Sequence, residues 1–320
     1  MPLIGSRGGG SARGFGWVKF TRLGPIYGYA LGGIEGVYVA TADRITFATS
    51  ATAAHTVSNL PAAKFSGASI SDKSVYGYFL GGYTITAFTT ASDRITFSTG
   101  VVAASTVSNL SVACYGPGGI SDGSIYGYAM GGYGADAYIA TTHRITFSTS
   151  VTAARTVSNL TVARQAFGAV SDGSVYGYAL GGYGPVGYDR ITFSTGVTAA
   201  STVSTLTRDV GITCGVSDGS VYGYVMGGYT GGATAITDRI TFSTSAAAAS
   251  TVSNLSTARW AVGGVSDGSL YGYAMGGTSG AYVATTDRIT FSTSVTAAST
   301  VSNLSAARRV DHNGISDGAV

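Results

Sequence analysis

The string Tyr-Gly-Tyr starts at Tyr27, Tyr76, Tyr126, Tyr176, Tyr222 and Tyr271, at spacings of 49, 50, 50, 46 and 49 residues. A chain of 320 residues with this period is first of all a repeat protein. Units of this size bury their apolar faces only by stacking on their neighbours. Each copy runs Tyr-Gly-Tyr, one variable residue, Leu or Met, Gly-Gly, a variable loop, Asp-Arg-Ile-Thr-Phe, Thr-Val-Ser-Asn-Leu and a basic residue. It ends in Ser-Asp-Gly-Ser, which leads into the next copy.

The apolar period inside a unit is two. In Arg94-Ile95-Thr96-Phe97-Ser98-Thr99 the apolar side chains alternate with polar ones, as in a strand with one buried face. Composition agrees, since 49 Gly and 21 Tyr against a single Glu (Glu35) leave few helix formers for exposed positions. The Asp-Gly pairs, as in Ser121-Asp122-Gly123-Ser124, sit between strand-like runs and suggest two-residue type I′ hairpins. Their aspartates are therefore turn residues rather than catalytic acids. Four short strands per unit, the second ending in a Gly-Gly pair, predict an all-β chain: a six-bladed β-propeller of four-stranded blades.

On these motifs the chain resembles the kelch family. Tyr178-Ala179-Leu180-Gly181-Gly182 is similar to that family's second strand, Asp189-Arg190-Ile191-Thr192-Phe193 to its third, and Ala163-Arg164 followed by Gly168 to the start of its first. The likeness spans about residues 23 to 317. The family's usual Trp, expected near Thr202 and Val203, is absent from every copy. The resemblance implies a kelch-like propeller architecture and no particular activity.

Leu23-Gly24-Pro25-Ile26 stands where the first copy should carry Ser-Asp-Gly-Ser, and the missing piece occurs at the other end as Gly314-Ile315-Ser316-Asp317-Gly318. The C-terminal strand, around Arg309 to Ser316, is therefore expected to close the ring as the innermost strand of the first blade, beside Tyr27 to Ala30. Residues 23–320 then form the propeller, and residues 1–22 a basic, Gly-rich N-terminal arm. Arg7, Arg13, Lys19 and Arg22 all precede the first acid, so of the net charge of +3 the body keeps −1.

Chemistry is sparse. His55, His143 and His312 fall at unrelated places in the repeat, so no symmetric metal site is expected. His143 replaces the Asp of Asp-Arg-Ile-Thr-Phe and reads as a surface substitution. Cys114 and Cys214 read as buried small residues rather than a disulfide. The acids are accounted for by the Asp-Gly turns and by Asp-Arg pairs that tie neighbouring strands. No nucleophile elbow or phosphate loop has its strand-to-helix setting. A near-neutral body argues against nucleic acid, and no apolar run approaches the ~20 residues of a membrane helix. A non-enzymatic protein without cofactor or metal is expected.

Variation among the copies points elsewhere, because blade packing constrains the framework and leaves loops free to carry function. The loop between Gly-Gly and Asp-Arg carries Tyr38, Phe88, Tyr138 and Tyr282, and in the shortened fourth copy Tyr188. These rings either pack on the next blade or form a rim for partner or glycan contact. The residue after the basic position is Phe65, Tyr115, Gln165, Gly211, Trp260 or Arg309, and it should lie near one mouth of the central channel. The basic position itself is lost at Cys114 and Val210. Phe65, Tyr115 and Trp260 could line a pocket there or plug it.

The arm Gly5-Ser6-Arg7-Gly8-Gly9-Gly10-Ser11-Ala12-Arg13-Gly14-Phe15-Gly16, followed by kelch-like units, resembles tail-fibre and other particle-associated proteins of tailed bacteriophages. That resemblance implies a virion component assembled in the host cytoplasm and released by lysis. Its arm would grip other virion proteins through Arg7, Arg13, Phe15 and Trp17, and its loops would meet a host-surface glycan or protein. The alternative is a free, multivalent propeller lectin.

Overall fold

The computed structural model describes residues 26–311 and 313–317. The expectations for Arg7, Arg13, Phe15, Trp17 and His312 concern positions outside these residues. Six sheets, each of four antiparallel strands, are arranged in a ring, and among the described residues helix is limited to single 3₁₀ turns at five of the Thr-Val-Ser motifs. The second blade shows the plan: Ala68–Ser71 innermost, then Tyr76–Leu80, Ser92–Thr96 and Val101–Ala104.

The ring closes as the displaced motif implies. Gly314–Ser316 pairs with the strand Tyr27–Ile34 in the register Gly28 with Ser316, Tyr29 with Ile315 and Ala30 with Gly314. The strands Tyr38–Thr46 and Ala51–Ala54 complete this first blade. The loop joining inner to second strand explains how one blade can use two chain ends. In the third blade the Asp122 carboxylate accepts the backbone N–H groups of Ser124, Ile125 and Tyr126 through one oxygen, at 2.7–2.9 Å. In the first blade Asp317 accepts those of Ile26 and Tyr27, at 2.7 and 3.0 Å, across the break in the chain.

These loops differ from the type I′ turn expected at Asp-Gly. That turn needs φ > 0 at both residues, whereas only the second position is left-handed, Gly123 at +71° and its counterpart Lys73 at +58°. The aspartate stays in an ordinary conformation and uses its side chain to organise a longer loop. Its role as a turn residue stands.

At the axis the six inner strands present Ser69, Gly119, Ala169, Gly215, Gly264 and Gly314, one from each blade. The space between them is about 30 Å³, on the scale of a single water. A Cβ on Gly215 would lie 2.0 Å from the Ala169 carbonyl oxygen, and one on Gly314 would lie 1.9 Å from that of Gly264. The central channel expected from the propeller plan is closed by backbone.

Between blades the contact is apolar. Ile120, Tyr128, Met130 and Leu160 of the third blade bury against Phe167, Ala179, Ile191 and Phe193 of the fourth, and the other five junctions repeat this set in outline. The residues of Asp-Arg part company. Each Arg stacks on the first Tyr of Tyr-Gly-Tyr, with centroid distances of 4.0–4.5 Å. Each Asp instead pairs with a base on the segment leading into the inner strand of the same blade: Asp43 with Arg308, Asp93 with Lys64, Asp189 with Arg164 and Asp287 with Arg259, all at 2.6–2.7 Å.

Two expectations about these sites are corrected. In the fifth blade the base is retained two positions earlier, where Arg208 meets Asp238 at 2.7 Å and Val210 fills the vacated apolar space. In the third blade His143 is not a surface residue but is only 2% exposed, its Nε2 facing the amide and hydroxyl of Ser111 at 3.1 and 2.8 Å. It stands where the Asp should be, opposite Cys114, which stands where the base should be. The blade has lost both charges together, which avoids the penalty of a buried unpaired ion.

Urea titration of single and double variants tests this packing. Gly215→Val should destabilise the ring by about 3 kcal/mol or more, because its side chain meets backbone. Ser69→Ala, which removes a buried hydroxyl with no partner, should be neutral or stabilising in the same urea titration. In the third blade, His143→Asp and Cys114→Arg should each destabilise strongly, by about 3–5 kcal/mol, while the double variant recovers much of the loss. Burial also lowers the His143 pKa to about 4. The unfolded chain therefore takes up the proton first, and stability should fall by up to about 3 kcal/mol as pH drops from roughly 6.5 to 4. His143→Gln should flatten that part of the stability–pH curve.

Candidate recognition face

Strand direction gives the ring two unlike faces. The aspartate loops and Ile26 occupy one. The strand Tyr27–Ile34 crosses the blade and ends on the other, where Ile34 bridges Arg309. This second face gathers both sets of variable residues. The residue after the basic position lies just ahead of the inner strand and bridges the residue that follows Gly-Gly: Phe65 with Tyr83, Tyr115 with Tyr133, Gln165 with Tyr183, Gly211 with Tyr229, Trp260 with Thr278. The loop aromatics then fold back over that bridge.

The result over the first three blades is a continuous arc of seven rings. Tyr38 stacks on Phe65 of the next blade at 5.2 Å, and Phe88 stacks on Tyr115 of the next at 5.4 Å. Tyr83 meets Phe65, Phe88 and Tyr115 at 5.3–6.1 Å, and Tyr133 meets Tyr138 at 5.2 Å. Most of these pairs are edge-to-face, with Tyr38–Phe65 and Phe88–Tyr115 stacked, arrangements that ring quadrupoles favour. The arc encloses a hollow of about 400 Å³, closed at one end by Arg309, whose guanidinium lies 5.9 Å from Phe65. The loop rings thus pack on the neighbouring blade and line a surface hollow at once.

Two more hollows continue around the same face. One of about 360 Å³ includes Tyr138, Tyr183, Asp209, Gly211 and Tyr229. The other, about 700 Å³, holds Trp260 and Tyr282 together with Tyr229, Thr278, Ser279 and Arg309. Arg309 stacks on Trp260 at 4.4 Å and donates through Nη2 to Asp311 at 3.0 Å. Gly211 is the one gap among the six mouth positions, and a Cβ there would sit 2.8 Å from the Tyr183 amide nitrogen.

Of the eight aromatics singled out by sequence, seven line these hollows: Tyr38, Phe65, Phe88, Tyr115, Tyr138, Trp260 and Tyr282. Tyr188 stands apart. In the shortened fourth copy it is part of the strand Gly187–Thr192, and its hydroxyl donates to Asp209 at 3.3 Å. Burial, reinforced by that carboxylate, pushes its pKa up to about 12. Burial also raises the Tyr138 hydroxyl, with Tyr183, Tyr115 and Tyr133 adding to the effect. Sequence reasoning did not single out Tyr83, Tyr133, Tyr183 and Tyr229, although an aromatic directly after Gly-Gly in four copies was a visible signal.

Reactive groups are not gathered here. Among the described residues no three of His, Cys, Asp and Glu converge on a common point. Cys114 and Cys214 are free and buried, and burial pushes both thiols up to about 12. The arrangement offers aromatic surface, phenol and alcohol hydroxyls, the Asp209 carboxylate and one guanidinium. No protein-family model matches the chain, and no curated protein matches its sequence.

Proposed function

We propose that this protein is a non-enzymatic recognition component of a bacteriophage particle, attached through its N-terminal arm and turning its aromatic face toward the host surface. The observation that carries the reading is the placement of that face. Ile26, the first described residue on the arm's side of the propeller, stands among the aspartate loops, and the three hollows open on the opposite side. An anchor on one side and a recognition surface on the other leave both free to act together. The likeness of the arm and the kelch-like units to tailed-phage particle proteins supplies the particle itself.

The free-lectin alternative asks for near-equal sites in all the blades, whose avidity would come from repetition. The three hollows differ in size and lining, which favours one composite surface over six copies of a site.

Mass spectrometry of particles purified from the source should find the chain at a fixed ratio to the other virion proteins. Its absence would sink the reading. Deleting residues 2–16 should leave a folded propeller that no longer incorporates into particles. Added full-length protein should compete with particles for adsorption to host cells.

A further inference from the structure

The largest hollow differs from the other two in chemistry. Its walls are the Trp260 and Tyr282 rings, the Tyr229 ring edge-on to Trp260 at 5.7 Å, and the Thr278–Ser279 turn. At about 700 Å³ it falls within the roughly 300–1,000 Å³ of small-ligand sites. Thr278 is committed to its own turn, accepting from the Gly280 amide and donating to the Ala281 carbonyl. The hydroxyls of Ser279, Tyr229 and Tyr282 make no hydrogen bond among the described residues.

The charge of the hollow is already balanced. Arg309 is its one cation, and Asp311, buried behind it, holds Nη2 at 3.0 Å. Arg309 Nε and Asp311 Oδ2 are buried without a partner, so the pair is neutral in sum yet only partly satisfied as donor and acceptor. An acidic ligand would bring a second carboxylate toward Asp311, and a cationic one would meet the guanidinium. A wholly apolar ligand would cover three free hydroxyls and return nothing for their lost hydration. What fits is a neutral molecule with one flat C–H face and a ring of hydroxyls.

We infer that the Trp260–Tyr282–Arg309 hollow is a single binding site for a neutral hexopyranose unit, the sugar's apolar face lying against aromatic rings and its hydroxyls bonding Ser279, Tyr229 and the Arg309 guanidinium. This rests on the reading of the aromatic face as the recognition face and names what that face takes. The site occurs once per chain, because only the sixth blade has Trp in this position and only the closing segment supplies Arg. Its pairing with the long arc of the first three blades makes room for the next units of a glycan across Arg309, which lines both hollows.

Calorimetric titration of the full chain with the methyl glycosides of glucose, galactose and mannose, and with methyl glucuronide as the acidic comparison, tests this. At least one neutral glycoside should bind at one site per chain, more tightly than the glucuronide. Trp260→Ala should weaken it roughly tenfold or more, with Trp260→Phe retaining part of the affinity and both variants unfolding at the wild-type urea midpoint. Arg309→Leu should weaken it as well. The inference is overturned by no binding of any neutral glycoside, by tighter binding of the glucuronide, by a stoichiometry near six, or by unchanged affinity in Trp260→Ala. If sugars fail to bind while the full chain still blocks particle adsorption, this inference alone falls. If adsorption is unaffected too, the recognition reading falls with it.

Discussion

Everything in this ring depends on how closely six inner strands approach one axis. At Gly119, Gly215, Gly264 and Gly314 a carbonyl oxygen of the neighbouring strand lies where a Cβ would be, so only glycine fits there, and the other two positions hold the small Ser69 and Ala169. With the centre filled by backbone, no ligand can enter from inside, and apolar burial comes from blade against blade. Large side chains are excluded from the axis and appear between the blades and on the rim. The chain carries its variable aromatic positions on the rim because the tight centre leaves no place for them.

The lead-in segments connect the two regions. In four blades the segment brings a base to the Asp of its own blade and, one residue later, sets a side chain on the aromatic face. Arg308 and Arg309 show the division: the first is fully buried against Asp43, and the second is stacked on Trp260 at the surface. A buried ion pair therefore fixes the backbone from which a rim residue projects. Rigid aromatic side chains placed this way would lose little freedom against a bound partner.

The blades, their number and the closing strand were legible in the amino-acid sequence, since each repeats a motif and the one missing copy reappears at the far end. Pairings between motifs were not. Nothing local says that the Asp of Asp93-Arg94 turns to Lys64 while its neighbour turns to Tyr76, because the two side chains leave opposite faces of one strand. His143 looked like surface drift for the same reason: its meaning lies in Cys114, 29 residues earlier by the numbering, and only the fold sets them together. The rim aromatics could be found singly as variable positions. That loop rings of one blade lie on lead-in rings of the next is a property of curvature around the axis, which no single repeat contains. Tyr188 was grouped with them by composition, but the shortened loop draws it into a strand.

The seam where the two ends of the chain meet has a mechanical side. Force entering at residue 26 would run along the strand Tyr27–Ile34, which is hydrogen-bonded to Gly314–Ser316 on one edge and Tyr38–Thr46 on the other. Both ladders would be loaded in shear, their bonds sharing the tension instead of opening one after another as in an end strand peeled from a sheet. A tether attached there pulls against the whole first blade, and through it against the closed ring.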